Sequence, residues 1–133
     1  MSEQDRRAIS QVRIQNAERC LTSSKLLLKA GDYKSAANRS YYAIFYAIRA
    51  LLALEGKDFK KHSAVLSYFR KEYIKKGLFD KSFSSVLSSL FEIRTDSDYD
   101  DFYFISKDET EEQIKNAEKM LEEIKQYLAS QFE

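Results

Sequence analysis

No proline interrupts this chain of 133 residues, and its three glycines, Gly31, Gly56 and Gly77, each fall just behind a segment of helical period. Proline stops a helix by removing a donor and clashing with the preceding turn, whereas a glycine after an amphipathic run marks a left-handed C-terminal cap. Punctuation and periodicity therefore agree on an all-α chain.

The first helix is expected over about residues 3 to 30, with Ile9, Val12, Ala17, Leu21 and Leu26 to Leu28 set among charges and Gly31 ending it. The second, about 32 to 55 with Asp32 as N-cap, is apolar on most sides, the mark of a helix surrounded by neighbours. A third is expected from about Ser63 to Lys76, closing on a cationic turn and Gly77. The fourth covers about 80 to 95, with an extension to 99 left open. Residues 99 to 106 read as an irregular connector pinned by Phe102, Phe104 and Ile105. The last helix begins at a capping box, Ser106 with Glu109, and repeats Ile114, Ala117, Leu121, Ile124 and Leu128, so it should lie along a long partner, the first helix. The expected architecture is one domain, residues 1–133, folded as an antiparallel up-and-down bundle of four to five helices.

Lys and Arg number 22 against 21 Asp and Glu, a formal net charge of +1, so no global field recruits nucleic acid or anionic lipid and any anion site must be local. The single cysteine, Cys20, excludes an internal disulfide framework and fits a reducing compartment. The opening "MSEQDRRAISQ" carries no apolar signal region, and no run approaches the length of a membrane span. A cytoplasmic protein without membrane contact is expected.

Three places could carry chemistry. In the second helix Arg39, Tyr42, Tyr46 and Arg49 stand three, four and three residues apart, which lines two cations and two phenols along one row. Such a row can clamp phosphates and stack on bases of RNA or a nucleotide, and the same residue types build homodimer interfaces, the commoner use. The one histidine, His62, opens the third helix, where the helix N-terminus biases an imidazole towards its neutral form, suited to general acid or base work; a solvated or capping histidine is the plainer alternative. In "LFEIRTDSDYDDFYF" Arg94 lies about 20° around the helix axis from both Phe83 and Leu87, so its guanidinium is aimed where the apolar stripe faces and requires a partner or a crevice. Asp98, four residues on, offers an ordinary helix-surface pairing. Asp96, Asp98 and Asp100 suggest calcium, but an EF-hand in that register needs glycine where Asp101 stands and glutamate where Lys107 stands. One His, one Cys and no metal-ligand spacing give no expected metal or other cofactor.

The stretches "AANRSYYAIFYAIRALLALEGKDFKKHSAV" and "LFEIRTDSDYDDF" together resemble the HEPN domains (higher eukaryotes and prokaryotes nucleotide-binding), particularly the small helical proteins encoded beside minimal nucleotidyltransferases. The likeness runs from about residue 10 to 128 and rests on Arg39, Tyr41, Tyr42 and Ala43, on Lys61, His62 and Ser63, and on Arg94 with Asp98 and Tyr99.

That resemblance implies a homodimer with the active groups in its cleft and, often, a toxin that acts as a metal-independent endoribonuclease and is neutralised by its nucleotidyltransferase antitoxin. The family's catalytic form follows its arginine by a histidine four to six residues on. Here Arg94 matches, but Tyr99 stands after the four-residue spacer and no histidine follows Arg94. A phenol with a pKa near 10 is a poor base at neutral pH, so His62 is the candidate for proton transfer, in a composite catalytic site of Arg94, His62 and Tyr99 with Arg39. The competing expectation is a non-catalytic nucleotide-binding or protein-interaction module. The resemblance also implies that Tyr99 or Tyr103 can be modified by the partner through nucleotide transfer.

Overall fold

The computed structural model describes residues 1–101 and 103–132, the side chain of Ser97 excepted. Five α-helices follow in order: α1 Glu3–Lys29, α2 Tyr33–Leu54, α3 His62–Phe69, α4 Ser82–Tyr99 and α5 Lys107–Gln131. The long helices alternate in direction. Ser10 bonds Ala50 and Ser24 bonds Ala36 across α1 and α2; Asn38 meets Asp98 and Tyr41 meets Phe91 across α2 and α4; Lys25 pairs with Glu118 and Lys125 with Glu18 across α1 and α5. The result is the all-α antiparallel bundle that the punctuation implies. Among the described residues no helix is long and apolar enough to cross a membrane.

The bundle is built around α2, which touches α1, α3, α4 and α5 and buries 13 of its 22 residues. Its seam with α1 is made of small side chains at seven-residue spacing: Ser10, Ala17 and Ser24 on α1 and Ala36, Ala43 and Ala50 on α2 are all at most 1% exposed. Seven residues return a helix to nearly the same face, so each set forms a continuous stripe. The Ser10 hydroxyl donates to the Ala50 carbonyl at 2.8 Å and the Ser24 hydroxyl to the Ala36 carbonyl at 2.6 Å. Short side chains reaching the opposite backbone show that the two helices lie close, and both buried hydroxyls have an acceptor.

All three expected glycine ends are formed as glycine chemistry requires, Gly56 included with φ of 69°. Gly31 and Gly77 adopt φ of 81° and 83°. The next amide in each case reaches back five residues, Asp32 N to Leu27 O at 3.0 Å and Leu78 N to Tyr73 O at 2.9 Å, which closes the helix. Asp32 caps α2 by accepting from the Ser35 amide at 3.2 Å.

Four expectations need correction. The third helix does not run evenly to Lys76: α3 gives way at Arg70 to a π-helical turn, Arg70–Ile74, in which the Lys75 amide reaches Arg70 O at 2.8 Å. The wider turn buries Tyr73 and Ile74 while the Arg70 side chain bonds Ser84 Oγ at 3.1 Å and Ser88 Oγ at 2.7 Å on α4. The last helix packs more extensively on α2 than on α1, because α2 offers apolar surface whereas ion pairs join α5 to α1. The Glu109 carboxylate accepts from the Ser106 hydroxyl at 3.1 Å, and Ser106 Oγ accepts from the Glu109 amide at 3.0 Å. This is half of the expected capping box. In the connector, Phe104 is 82% exposed and Ile105 is buried, so Phe104 does not act as a pin; Phe102 lies outside the described residues.

On α4 the stripe of Phe83, Leu87 and Leu90 is at most 2% exposed and anchors the helix against the core. Each such side chain contributes about 1.5 to 3 kcal/mol when fully buried. One turn beyond Leu90, the same face delivers Arg94.

Candidate functional site

The row on α2 is differentiated along its length. Arg39 is exposed, with its guanidinium 5.7 Å from the centre of the Tyr42 ring. Tyr42 and Tyr46 are half-buried, their rings 6.3 Å apart. Arg49 is turned towards the segment after α2: its Nη2 donates to Asp58 Oδ2 at 2.9 Å, and Arg13 of α1 approaches the same oxygen at 3.4 Å while donating to the Arg49 carbonyl at 3.0 Å. Burial pulls the Asp58 carboxyl upward. The Arg49 hydrogen bond, the Phe59 amide and both guanidiniums outweigh that pull and hold it below the ordinary carboxylate value.

His62 begins α3, and its Nδ1 lies 2.8 Å from the Tyr41 hydroxyl of α2. The imidazole stacks on Phe45, with ring centres 4.0 Å apart and planes 20° from parallel, and meets the edge of Tyr42 at 6.0 Å. Burial first, then the cations Arg94 and Arg49, hold its pKa below the ordinary histidine value against the opposing pull of Asp98. The imidazole is thus biased neutral, as its position suggests, but by burial and two guanidiniums. Burial also pushes the Tyr41 phenol far above its ordinary value despite the nearby Arg94 cation, so its hydroxyl keeps its proton at neutral pH.

Arg94 reaches the seam of α2 and α4, its side chain one-fifth exposed. The Tyr42 phenol is its strongest stabilising partner, outweighing burial with help from Asp98 and Tyr41, so the guanidinium is held all the more firmly charged. Its Nε stands 3.2 Å from Asp98 Oδ2, and the other Asp98 oxygen accepts from Asn38 of α2 at 3.1 Å. Antiparallel packing creates this group: α2 rises past α4 so that Asn38 and Tyr42 flank the last turns of the fourth helix, while the loop after α2 returns His62 to Tyr41.

One cluster therefore gathers Arg94, Tyr41, Tyr42 and His62 from three helices. Beside it, Phe45, Arg49, Asp58, Phe59, Lys60 and His62 line an open cleft of about 370 Å³. A cation, a neutral imidazole and aromatic faces at the rim of such a cleft suit an anion carrying a flat ring.

Tyr99 is placed differently. It is 78% exposed at the end of α4 and lies about 140° around that helix from Arg94. Tyr103 follows in the connector, half-buried, its phenol pushed up by burial and by Asp96, Glu109 and Glu92. Several contributors stand outside the residues singled out from the sequence as a site, Tyr41, Phe45, Asn38 and Asp58 among them. Phe45 and Asn38 look like ordinary helix positions until α3 and α4 are packed against them. Asp58 carries a local signal, the lone acid in "GKDFKK".

An α-helical bundle with a cation–phenol–imidazole cluster between its central and fourth helices is the class that fold and site define. The HEPN domain model matches residues 10–127. The chain is 38% identical over 112 residues to a UPF0332 protein of Thermotoga maritima, covering 84% of this chain and 85% of that one. It is 35% identical over 117 residues to "Putative toxin MJ0142" of Methanocaldococcus jannaschii, covering 88% and 80%, and 31% identical over 115 residues to a UPF0332 protein of Archaeoglobus fulgidus, covering 86% and 91%. The chain belongs to the HEPN domain family.

Proposed function

We propose that this chain is the toxin of a toxin–antitoxin pair, a homodimer that engages RNA at the Arg94–Tyr42–Tyr41–His62 cluster, cleaves it without metal, and is neutralised by a minimal nucleotidyltransferase partner. The observation that carries the reading is the convergence of Arg94 and His62, 32 residues apart in sequence, on adjacent tyrosines of one helix. The toxin role is supported by the name of the relative from Methanocaldococcus jannaschii, "Putative toxin MJ0142". In this reading the RNA 2′-oxygen bonds its own phosphorus as the bond to the 5′-oxygen breaks, giving a 2′,3′-cyclic phosphate and a 5′-hydroxyl, with water taking the 2′-hydroxyl proton and supplying one to the 5′-oxygen; Arg94 stabilises the charge that develops, His62 hydrogen-bonds the phosphate, and Arg39, Tyr42, Tyr46 and Arg49 hold the flanking nucleotide. Tyr99, through its exposure, is the better target for nucleotide transfer by the partner than half-buried Tyr103.

The test incubates purified protein with end-labelled RNA in excess chelator, beside Arg94→Ala and His62→Ala. Cleavage by the unaltered chain that drops at least 100-fold in both variants supports the nuclease; intact RNA in every lane sinks it. A second reading rests on the Asp98 contact, which already supplies Arg94 with a counter-ion: a nucleotide-binding or interaction module that does not cleave. Retained binding of a fluorescent nucleotide with no RNA cleavage selects it. Light scattering decides the dimer, for which a monomer at micromolar concentration is the opposing result.

A further inference from the structure

The bond between Tyr41 and His62 has a direction, and the direction decides what the imidazole can do. The Tyr41 hydroxyl is 2.8 Å from His62 Nδ1, and the Tyr41 residue is 2% exposed. Among the described residues Nδ1 is the acceptor this hydroxyl reaches, and a buried hydroxyl proton with no acceptor is costly. A neutral imidazole has one N–H and one bare nitrogen. If Nδ1 accepts, the proton must sit on Nε2.

The remaining edge of the ring is the one that can serve the cleft. Nδ1 is used on the core side by Tyr41, one flat face is covered by Phe45, and His62 nonetheless lines the open cleft with Arg49, Asp58, Phe59 and Lys60. Nε2–H is accordingly the part available to a ligand, beside the cations of Arg49 and Lys60.

We propose that Tyr41 is the positioning residue of His62: its hydroxyl locks the neutral ring in the Nε2–H tautomer, so that His62 meets a ligand as a hydrogen-bond donor to an anionic oxygen and not as a base. This rests on the nucleic-acid reading for the identity of the ligand, a phosphate oxygen. The tautomer itself stands independently of it. Arg94 is compatible with the arrangement, since a neighbouring guanidinium disfavours a second proton on the ring.

The test is a long-range proton–nitrogen correlation spectrum of the free, nitrogen-15-labelled protein slightly above neutral pH. The chain has one histidine, so assignment is unambiguous. The expected result is a protonated, pyrrole-type Nε2 and a bare, hydrogen-bonded Nδ1. In Tyr41→Phe the lock is lost, and both nitrogens move towards the averaged positions of a mixed population. Tyr42→Phe, which keeps the Tyr41 bond, leaves the tautomer unchanged. A proton on Nδ1 in the unaltered protein overturns the proposal, as does a Tyr41→Phe spectrum that superimposes on it. Should Tyr41→Phe fail to fold, the unaltered spectrum still decides. No RNA is present, so the two readings fail separately: the expected tautomer with intact RNA removes the nuclease alone, and the opposite tautomer with cleaved RNA removes the Tyr41 role alone.

Discussion

Arg49 donates to Asp58 through the same carboxylate oxygen that Arg13 approaches, at 2.9 and 3.4 Å, so one acid joins α1, α2 and the segment leading to His62. Asp58→Asn is expected to lower stability by about 0.5 to 1.5 kcal/mol, a range discounted because the carboxylate is nearly half exposed. Its folded pKa is depressed, so its contribution is present above the unfolded value near 3.9 and is lost as pH falls through the folded value. Urea melts at pH 7 and at about pH 3 check this. The variant should differ from the unaltered chain at the higher pH, and the difference should narrow at the lower.

His62 should impose a second, milder acid dependence. Its folded pKa lies below the unfolded value near 6.5, so the unfolded chain binds the extra proton first and stability falls as pH drops below about 6.5. Arg94 and Arg49 drive that depression behind burial, and Asp98 opposes it. Thermal melts across this range are expected to lose the slope in His62→Gln. Removing Asp98 as Asp98→Asn should depress the His62 midpoint further when followed by NMR.

Glu55, just past α2, accepts hydroxyls from Tyr68 and Tyr73 and ties the α3 region to the central helix. Tyr73→Phe should cost about 0.5 to 1.5 kcal/mol by urea denaturation. Burial, then Glu55 and Glu72, pushes the Tyr68 phenol up to about 12. A raised folded pKa means that its contribution is present below the unfolded value near 10 and lost as pH rises through the folded one. An ultraviolet titration should show several late-ionising tyrosines, of which Tyr68 and Tyr73, the two bonded to Glu55, move earlier in Glu55→Gln.

Leu90→Ala and Phe104→Ser are a matched pair for stability. Leu90 is fully buried at the end of the α4 stripe, and its truncation should cost about 2 to 5 kcal/mol. Phe104 projects into solvent, and its replacement should fall within about 0.5 kcal/mol of the unaltered chain. A large loss from Phe104→Ser in the purified protein would contradict the exposed connector.

The helices were legible because glycine position and apolar period are local signals: Gly31 and Gly77 close helices where the chain predicts, and the Phe83–Leu87–Leu90 stripe turns Arg94 towards α2. The π-helical turn was not, because its five residues are too few to display a period of their own. Arg94 and His62 could each be singled out, but their approach depends on how α3 and α4 settle on α2, which no spacing along the chain encodes. Tyr41 shows the same limit from the other side: its place beside Tyr42 is visible in the sequence, whereas its bond to His62 Nδ1 comes from packing. Phe104 reads as core by composition alone and is exposed.

The alanine and serine stripes between α1 and α2 make the molecule unequal in what change it tolerates. Ala43 is fully buried in that seam, so a larger side chain there presses on the neighbouring helix, whereas the outer face of α1 can exchange most polar residues at little cost. Descendants of this chain can therefore drift freely on one side, while six small positions along a single line resist enlargement.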